Sequence, residues 1–509
     1  MTYDLVIKLI FLIITVLLSV PTVHFTVFAL VGLFAKKTYP QTSQRKKYGV
    51  VICARNEEKV IANLIESVKK NNYPQQLLTI FVVAHNCTDS TAQKARNAGA
   101  VVYEYNNPDE RTKGYALKRL FQCIGEDYGI ESFDGFLMLD ADNILADNFI
   151  EKLNDAFVYY GGKETITSFR NSKNFGQNVI SGLYGLHFAS GCRFESRGRT
   201  ICGCSARIQG TGFLMPSDVV KDGWKYVTLT EDWEYTADQI LQGRKIRYCD
   251  DAMFFDEQPS SVKIMLRQRL RWAKGCLLVF ATKSRQLFCS LFKRKTSHKG
   301  SAYDILACIV PYTVIGVFCT LLQAILLSPL FGVESWGGTG SFQQFVSQNW
   351  LWWAITVGGG FLLYVIPAIL LFVVERKRIK NVSLFKKILI VLFWPLFNLI
   401  NMPLQLIALF KKVEWKAIPH EAAITHDALN VKRLPLPVKW WQPRHSKSVQ
   451  RLPVLKANKK FPDLQIFSPK VAFGLFFVQN RLYGKFLRKA FAVLSPTLTF
   501  THCFFGGGR

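Results

Sequence analysis

Phe136-Leu137-Met138-Leu139-Asp140-Ala141-Asp142 is an apolar run closed by two carboxylates one residue apart. Four consecutive large apolar side chains suit a strand buried on both faces, which belongs in a parallel sheet covered by helices. Towards the N-terminus the same pattern repeats. Residues 48–54, 78–84 and 100–105 read as strands, the fourth covers 134–139, and helices are expected at 57–69, 88–97 and 113–125. Strand–helix–strand alternation at these lengths predicts a mostly parallel α/β domain, whose ligands bind beyond the carboxyl ends of its strands. Polar groups cluster there: Arg55, Asn56 and Glu57 after the first strand, His85 to Asp89 after the second, Lys113 after the third, and Asp140 and Asp142 after the fourth.

Beyond this domain the chain changes character. It has 509 residues, 49% hydrophobic, with 64 Lys+Arg against 36 Asp+Glu, and a mean hydropathy of +0.13. That balance excludes disorder for most of the chain and points to a membrane. Residues 5–34 are too long an apolar stretch for a signal peptide and read as an anchor. Lysines and Arg45 behind it place the next domain in the cytoplasm by the positive-inside rule. Residues 305–331 and 350–374 read as spans. Residues 388–410 are apolar but hold Pro395, Asn398, Asn401 and Pro403. Either they form a re-entrant or interfacial hairpin, which is favoured, or the tail lies outside. From Val431 to Arg509 there are fifteen Lys/Arg and one acid, Asp463, which suits an anionic membrane face better than nucleic acid. Residues 470–494 form a basic amphipathic pattern able to lie on a membrane or join protomers. The closing Gly506–Gly508 and Arg509 read as an addition outside the fold. Twelve cysteines at irregular spacings fit a reducing compartment. Cys202 and Cys204, with no second pair, read as structural rather than zinc-binding.

Two carboxylates spaced as Asp140 and Asp142 attract a divalent cation whose other ligands would be diphosphate oxygens; alternatively, Asp140 caps a helix and Asp142 is solvated. Thr230-Glu231-Asp232 reads as a helix N-cap with acids in the first turn, a setting that also holds a general base ionised. Gln268, Arg271 and Trp272 share one helical face on a stretch opening near Ser261. A guanidinium there can fork onto phosphate and an indole can plate a sugar ring; the alternative is an interfacial helix with snorkelling arginines. Gly210 and Gly212 allow close backbone approach, and Thr211 adds a hydroxyl.

Taken in order, Val51-Ile52-Cys53-Ala54-Arg55-Asn56-Glu57-Glu58, Asn86-Cys87-Thr88-Asp89, Lys113-Gly114-Tyr115-Ala116-Leu117, Asp140-Ala141-Asp142, Gly210-Thr211-Gly212, Thr230-Glu231-Asp232 and Gln268-x-x-Arg271-Trp272 resemble the membrane-integrated, processive family 2 glycosyltransferases, the cellulose, mixed-linkage glucan, hyaluronan and poly-N-acetylglucosamine synthases. The resemblance implies a GT-A type nucleotide-sugar-binding α/β domain in the cytoplasm plus an α-helical transmembrane region with interfacial helices. The parts would be an anchor (1–35), catalytic domain (46–260), interfacial helices (261–300), channel region (301–411) and basic cytoplasmic tail (412–509) of a multi-pass plasma-membrane protein. It further implies that Asp142, assisted by Asp140, coordinates Mg²⁺ or Mn²⁺. Ala54, Glu57, Asp89, Lys113, Asp140 and Arg271 would bind UDP, and Asp232 would deprotonate the acceptor. Trp272, Gln268, Gly210, Thr211 and Glu231 would hold the acceptor. Where many relatives carry paired aspartates, this chain has Ala84 and His85. Trp415 to His420 resembles a Trp-containing cytoplasmic stretch of relatives. The implied partners are a UDP-sugar, a growing polysaccharide and the bilayer, with no nucleic acid; Asn398, Asn401, Trp394 and Trp353 would flank the polymer path. UDP-glucose and a β-glucan are the expected donor and product. Hyaluronan, poly-N-acetylglucosamine, a single-sugar lipid product or a nucleotide-sensing transporter are the alternatives.

Overall fold

The computed structural model describes residues 21, 23–293, 298–312, 314–315, 350–415, 418, 420 and 424–429. Its centre is an eight-stranded sheet. Helix α1 (Val23–Phe34) precedes β1 (Tyr48–Ala54), α2 (Ile61–Lys69), β2 (Leu78–His85), α3 (Thr91–Asn97), β3 (Val101–Tyr105), α4 (Lys113–Asp127) and β4 (Gly135–Asp140). These four strands pair in parallel in the order β3-β2-β1-β4, as their apolar runs predict. The chain continues through β5 (Ile144–Leu145), α5 (Phe149–Tyr159), β6 (Thr165–Ser172), α6 (Val179–Ser190), α7 (Arg197–Ile201), β7 (Phe213–Pro216), α8 (Glu231–Leu241) and β8 (Ile246–Asp256). This second half is mixed. The order continues β7-β6-β8-β5, with β7 antiparallel to β4 and β6, and β6 parallel to β8. Strand order reverses direction at β1 and β4, the switch point at which α/β sheets open a crevice.

Both sheet faces are buried. Ile52, Leu64, Leu139 and Phe149 pack on one side, and Val51, Leu120, Phe136 and Tyr235 on the other. Gly212, just before β7, has φ +69°, and a Cβ there would stand 2.0 Å from the Phe254 ring of β8, so glycine fits this position. Helix α3 starts later than the sequence suggests because Asp89 accepts from Thr91 N at 3.0 Å and holds residues 88–90 in a turn.

Helix α9 (Val262–Phe292) opens at Ser261, whose hydroxyl accepts from Ile264 N at 3.2 Å, and α10 (Lys299–Ile309) packs against it. The span expected from residue 305 does not begin there. Ile305 lies inside α10, which ends at Val310 in extended backbone, and neighbouring Asp304 is buried against Arg199 at 2.7 Å. Ile305 and Ile309 are buried in the cluster that α10 forms with α8 and α9. Residues 316–349 lie outside the described residues, as do 1–20, the side chain of Trp353, and the whole unit 437–509 with its amphipathic pattern.

Helix α11 (Trp350–Val374) coincides with the second expected span, and its 25 residues reach about 37 Å. Helices α12 (Leu384–Leu399) and α13 (Asn401–Phe410) follow. The hairpin expected here is not formed. Ile400 keeps φ −61° and ψ −19°, so α12 runs on into α13. Leu384–Phe410 is the one stretch among the described residues that meets the length and apolarity of a membrane-crossing helix. Yet it stays against the domain along its whole length. Lys386 bonds Gly176 O near its start, Ile390 is buried where Gly182 leaves room, and Arg269 and Lys274 bond Asn401 and Ala408 O near its end. The opposite face exposes Leu384, Ile388, Leu392, Leu396 and Leu399, a stripe at helical spacing.

An ionic clamp ties helix ends to the sheet. Asp250, buried at the middle of β8, takes Arg378 at 3.0 Å and Lys36 at 3.5 Å, while Glu375 takes Arg193 at 2.8 Å.

Candidate active site

The crevice at the ends of β1 and β4 widens into a cavity of about 400 Å³. Its walls come from strand ends on one side and from α6, α9 and α13 on the other.

At the strand end, Asp140 pairs with Lys113, the first residue of α4, and Lys113 also donates to Gly210 O at 2.8 Å. Two acceptors fix the Asp140 backbone: its N–H donates to Thr211 Oγ1 at 2.8 Å and to Asn143 Oδ1 at 3.1 Å. Asp142 is buried and accepts from Glu257 N at 2.7 Å and from Asn143 Nδ2 at 3.1 Å. Burial alone would raise its pKa, but His420, Lys173 and the Glu257 N–H outweigh that and hold it below the usual range. Glu57 bonds His420 Nδ1 at 2.8 Å. Burial works against charge on that imidazole, but Asp142 and Glu57 prevail and hold it up at about 10. Arg55 stacks over Trp415 at 5.1 Å. Trp415 and His420 therefore lie over the strand ends.

At the helix end, Trp272 stacks on His187 at 6.2 Å and meets Phe188 edge-on at 6.1 Å. A π-helical turn, Gly191–Ser196, joins α6 to α7 and brings Glu195 to the wall. There Glu195 accepts from Arg207 and Arg199, each at 2.8 Å. Such turns recur where a helix must re-aim a functional side chain. Asn401 and Gln405 complete this end.

Asp232 lies between the two ends. Its Oδ1 accepts from Trp233 N at 2.9 Å, and a Cβ on Gly210 would stand 3.8 Å from its Oδ2. Burial raises its pKa, partly offset by that N–H and by Arg271. Glu231 beside it is pushed up to about 7, by burial first and by Asp232 next, against Lys113. Arg271 reaches this region with its Nη1 donating to Leu229 O at 2.7 Å. Thr230 occupies the N-cap position of α8 but makes no cap bond. It packs against Gly275, where a Cβ would stand 2.3 Å away.

Every residue that the resemblance assigns to metal, UDP, catalysis or acceptor lines this cavity except Asp89 and Thr211. Asp89 spends its carboxylate on Thr91 and on Glu58 N. Thr211 is buried and positions Asp140 rather than facing an acceptor. Of the suggested path residues Asn401 lines the cavity, whereas Asn398 bonds Trp394 O on its own helix. His187, Arg170, Asp256, Arg207, Arg269 and Gln405 were not foreseen. They arrive from elements whose packing has no local sequence signal, although a charged or amide residue in an apolar stretch, such as Gln405, is a usable hint.

No cluster of three or more His, Cys, Asp or Glu surrounds a single point among the described residues. The donor set still fits Mg²⁺ or Mn²⁺, which take one or two carboxylates and complete their shell with substrate phosphates and water. Asp142, fixed by a backbone N–H and an amide, and Asp140 supply such oxygens.

Residues 45–275 match the model of the glycosyltransferase like family 2. The probable glycosyltransferase YdaM of Bacillus subtilis is 27% identical over 240 residues, 45% of this chain and 55% of that protein. The poly-β-1,6-N-acetyl-D-glucosamine synthase of Staphylococcus epidermidis is 21% identical over 229 residues, 44% and 53% of the two chains. The chain spans about half the length of these curated relatives. Among solved structures, a Pyrobaculum calidifontis mannosyltransferase in complex with GDP-Man and Mn²⁺ is similar at 11% identity and a TM-score of 0.47, over 76% of this chain and 95% of that one. Residues 45–275 are thus similar to a family 2 glycosyltransferase domain, and the cavity lies at the switch point of that unit's sheet.

Proposed function

We propose that the protein is a membrane-embedded, processive, inverting β-glycosyltransferase that builds a polysaccharide from a UDP-sugar. The observation that carries this reading is that Asp142, Asp232 and Trp272, far apart in sequence, line one cavity. The strand end takes the nucleotide diphosphate. Asp140 and Asp142 would hold a divalent cation there, which when bound neutralises charge on the leaving diphosphate. Lys113 and Arg271 add fixed positive charge where the leaving group becomes anionic. Trp272 stacks the acceptor's terminal sugar. Asp232 takes the proton from its hydroxyl as that oxygen attacks the anomeric carbon from the face opposite UDP, so an α-linked donor gives a β product.

The expectation of glucose has no residue behind it. The named poly-β-1,6-N-acetyl-D-glucosamine synthases make UDP-N-acetylglucosamine the first donor to try. Helix α11 and the apolar stripe of α12 support a multi-pass membrane location with the catalytic domain and residues 415–429 in the cytoplasm. A lipid acceptor receiving one sugar is the second reading, favoured by the apolar surface of α12 and α13 next to the acceptor end. Incubating the purified protein with separate radiolabelled UDP-sugars, followed by linkage-specific hydrolases, tests both. Polymer from a single UDP-sugar is the expected result; a single-sugar lipid selects the second reading, and no incorporation from any donor rejects both.

A further inference from the structure

His85 ends β2 at the strand end of the cavity. It is 3% exposed, yet it stands in the cavity wall. One side of its ring is locked: Nε2 donates to Glu110 O at 2.7 Å, and the ring stacks on Tyr105 at 5.5 Å and 11°. The segment carrying Glu110 is itself tied down, because the Asn86 side chain accepts from Asn107 N at 2.7 Å and donates to Asn107 O at 2.9 Å. Asn86 Nδ2 also lies 3.1 Å from His85 Nε2, but its hydrogen is already directed at Asn107 O. A carbonyl can only accept, so the imidazole proton sits on Nε2 and Nδ1 keeps a bare lone pair. Burial lowers the pKa of the ring and outweighs the bond to Glu110 O, which keeps the imidazole neutral. Among the described residues nothing bonds Nδ1. A buried acceptor with no donor is costly, and on a cavity wall the missing donor is a group of the ligand.

The place of His85 in the sheet says which group. The strand order is β3-β2-β1-β4, and Asp140 and Asp142 stand at the end of β4. His85 therefore lies two strands away from the carboxylates, roughly 10 Å at the spacing of sheet strands. A nucleoside extending from a diphosphate at β4 across β1 covers that distance and brings its base to β2. Pyrimidines differ in what they offer a lone pair there. Uracil carries a hydrogen on N3, whereas cytosine N3 is itself an acceptor and would meet Nδ1 lone pair to lone pair.

We propose that His85 selects the nucleobase of the donor, its Nδ1 accepting the N3–H of uracil and repelling cytosine at the same point. This rests on the reading of the strand end as the nucleotide end and names the group that discriminates among nucleotides there. Asn86 and Glu110 O act through His85, holding its tautomer and ring plane.

The test measures binding apart from catalysis. The full chain, in nanodiscs of phosphatidylcholine with Mn²⁺ present, is titrated by calorimetry with UDP, CDP and N3-methyl-UDP. UDP should bind at least about 10-fold more tightly than either of the others. His85→Phe keeps a ring on Tyr105 without the lone pair, so UDP affinity should fall to within about twofold of CDP affinity, with CDP affinity itself unchanged. His85→Asp returns an acceptor and should restore part of the preference. Equal affinity for UDP and CDP, or for UDP and N3-methyl-UDP, in the unsubstituted protein would overturn the proposal. So would a preference for UDP that survives His85→Phe, or a fall in all three affinities by one common factor in that variant, which would make the residue structural. Base selection through His85 without sugar transfer from any UDP-sugar would leave this inference standing and reject the glycosyltransferase reading. Sugar transfer from UDP-sugar and CDP-sugar alike would do the reverse.

Discussion

The two ends of the cavity are built on opposite plans. At the strand end each ionisable group has a partner within the fold: Asp140 with Lys113, Asp142 with the Glu257 N–H, Glu57 with His420. At the helix end polar atoms are left open, with Gln268 Oε1, Gln405 Oε1 and Arg269 Nη1 buried and unpartnered. The difference is one of preorganisation. A donor that always carries a diphosphate can be met by a fixed, internally balanced set of charges, which costs no reorganisation at the moment of reaction. On the proposed function, an acceptor that must enter and move on would be met by stacking surfaces and by hydrogen-bonding groups completed only when it is present.

Substitutions at each end should therefore separate. The largest effect belongs to the junction: Asp232→Asn should lower turnover by about 10²–10⁴-fold while UDP affinity, measured by calorimetry, stays within twofold of the unsubstituted protein. Loss of UDP binding in that variant would dissolve the division between the ends. Next comes Trp272→Ala, for which the acceptor KM should rise about 10-fold or more with the donor KM unchanged. A rise in the donor KM alone would move Trp272 to the other end.

Smaller, and resolved by pH, is Glu231→Gln. Both carboxyl groups of this pair are raised by burial, Glu231 to about 7, so activity requiring ionised Asp232 is present at high pH and lost as pH falls through the titration of the pair. Glu231 carries the like-charge cost, being raised by Asp232, so Asp232 ionises first. Glu231→Gln should remove the step near 7 and leave the acid limb set by Asp232 in place, and an acid limb moved to higher pH would contradict this. The smallest effect is Asp89→Asn. As a turn and cap residue outside the cavity it should cost about 1 kcal/mol of stability or less in thermal denaturation and leave both KM values alone. A higher donor KM would return Asp89 to the nucleotide site.

The same contrast governs what the sequence could tell. The strand end was legible because β1 and β4 carry polar residues directly at their own carboxyl ends, so Glu57, Asp140 and Asp142 reach the cavity from strand positions. Asp89 and Thr211 sit at equally plausible positions, and a short polar side chain at a strand end reads the same whether it binds a ligand or holds a turn. Arg269 was not singled out because its partner Asn401 lies 132 residues away and its missing carboxylate is a property of packing. In the apolar half, hydropathy located α11 to the residue. The first residues of the preceding span fall in α10, beside the Arg199–Asp304 pair that hydropathy does not register, and residues 316–331 of that span lie outside the described residues. Hydropathy read Pro395 and Pro403 as a hairpin, although the loss of two backbone donors is tolerated where Ile400 stays helical.

Asp232 can serve both ends only if donor and acceptor meet across it from opposite faces. Proton NMR of the sugar transferred from an α-linked UDP-sugar in the first turnover reads this directly: a β-anomeric product is expected, and an α-anomeric product would contradict single displacement at Asp232.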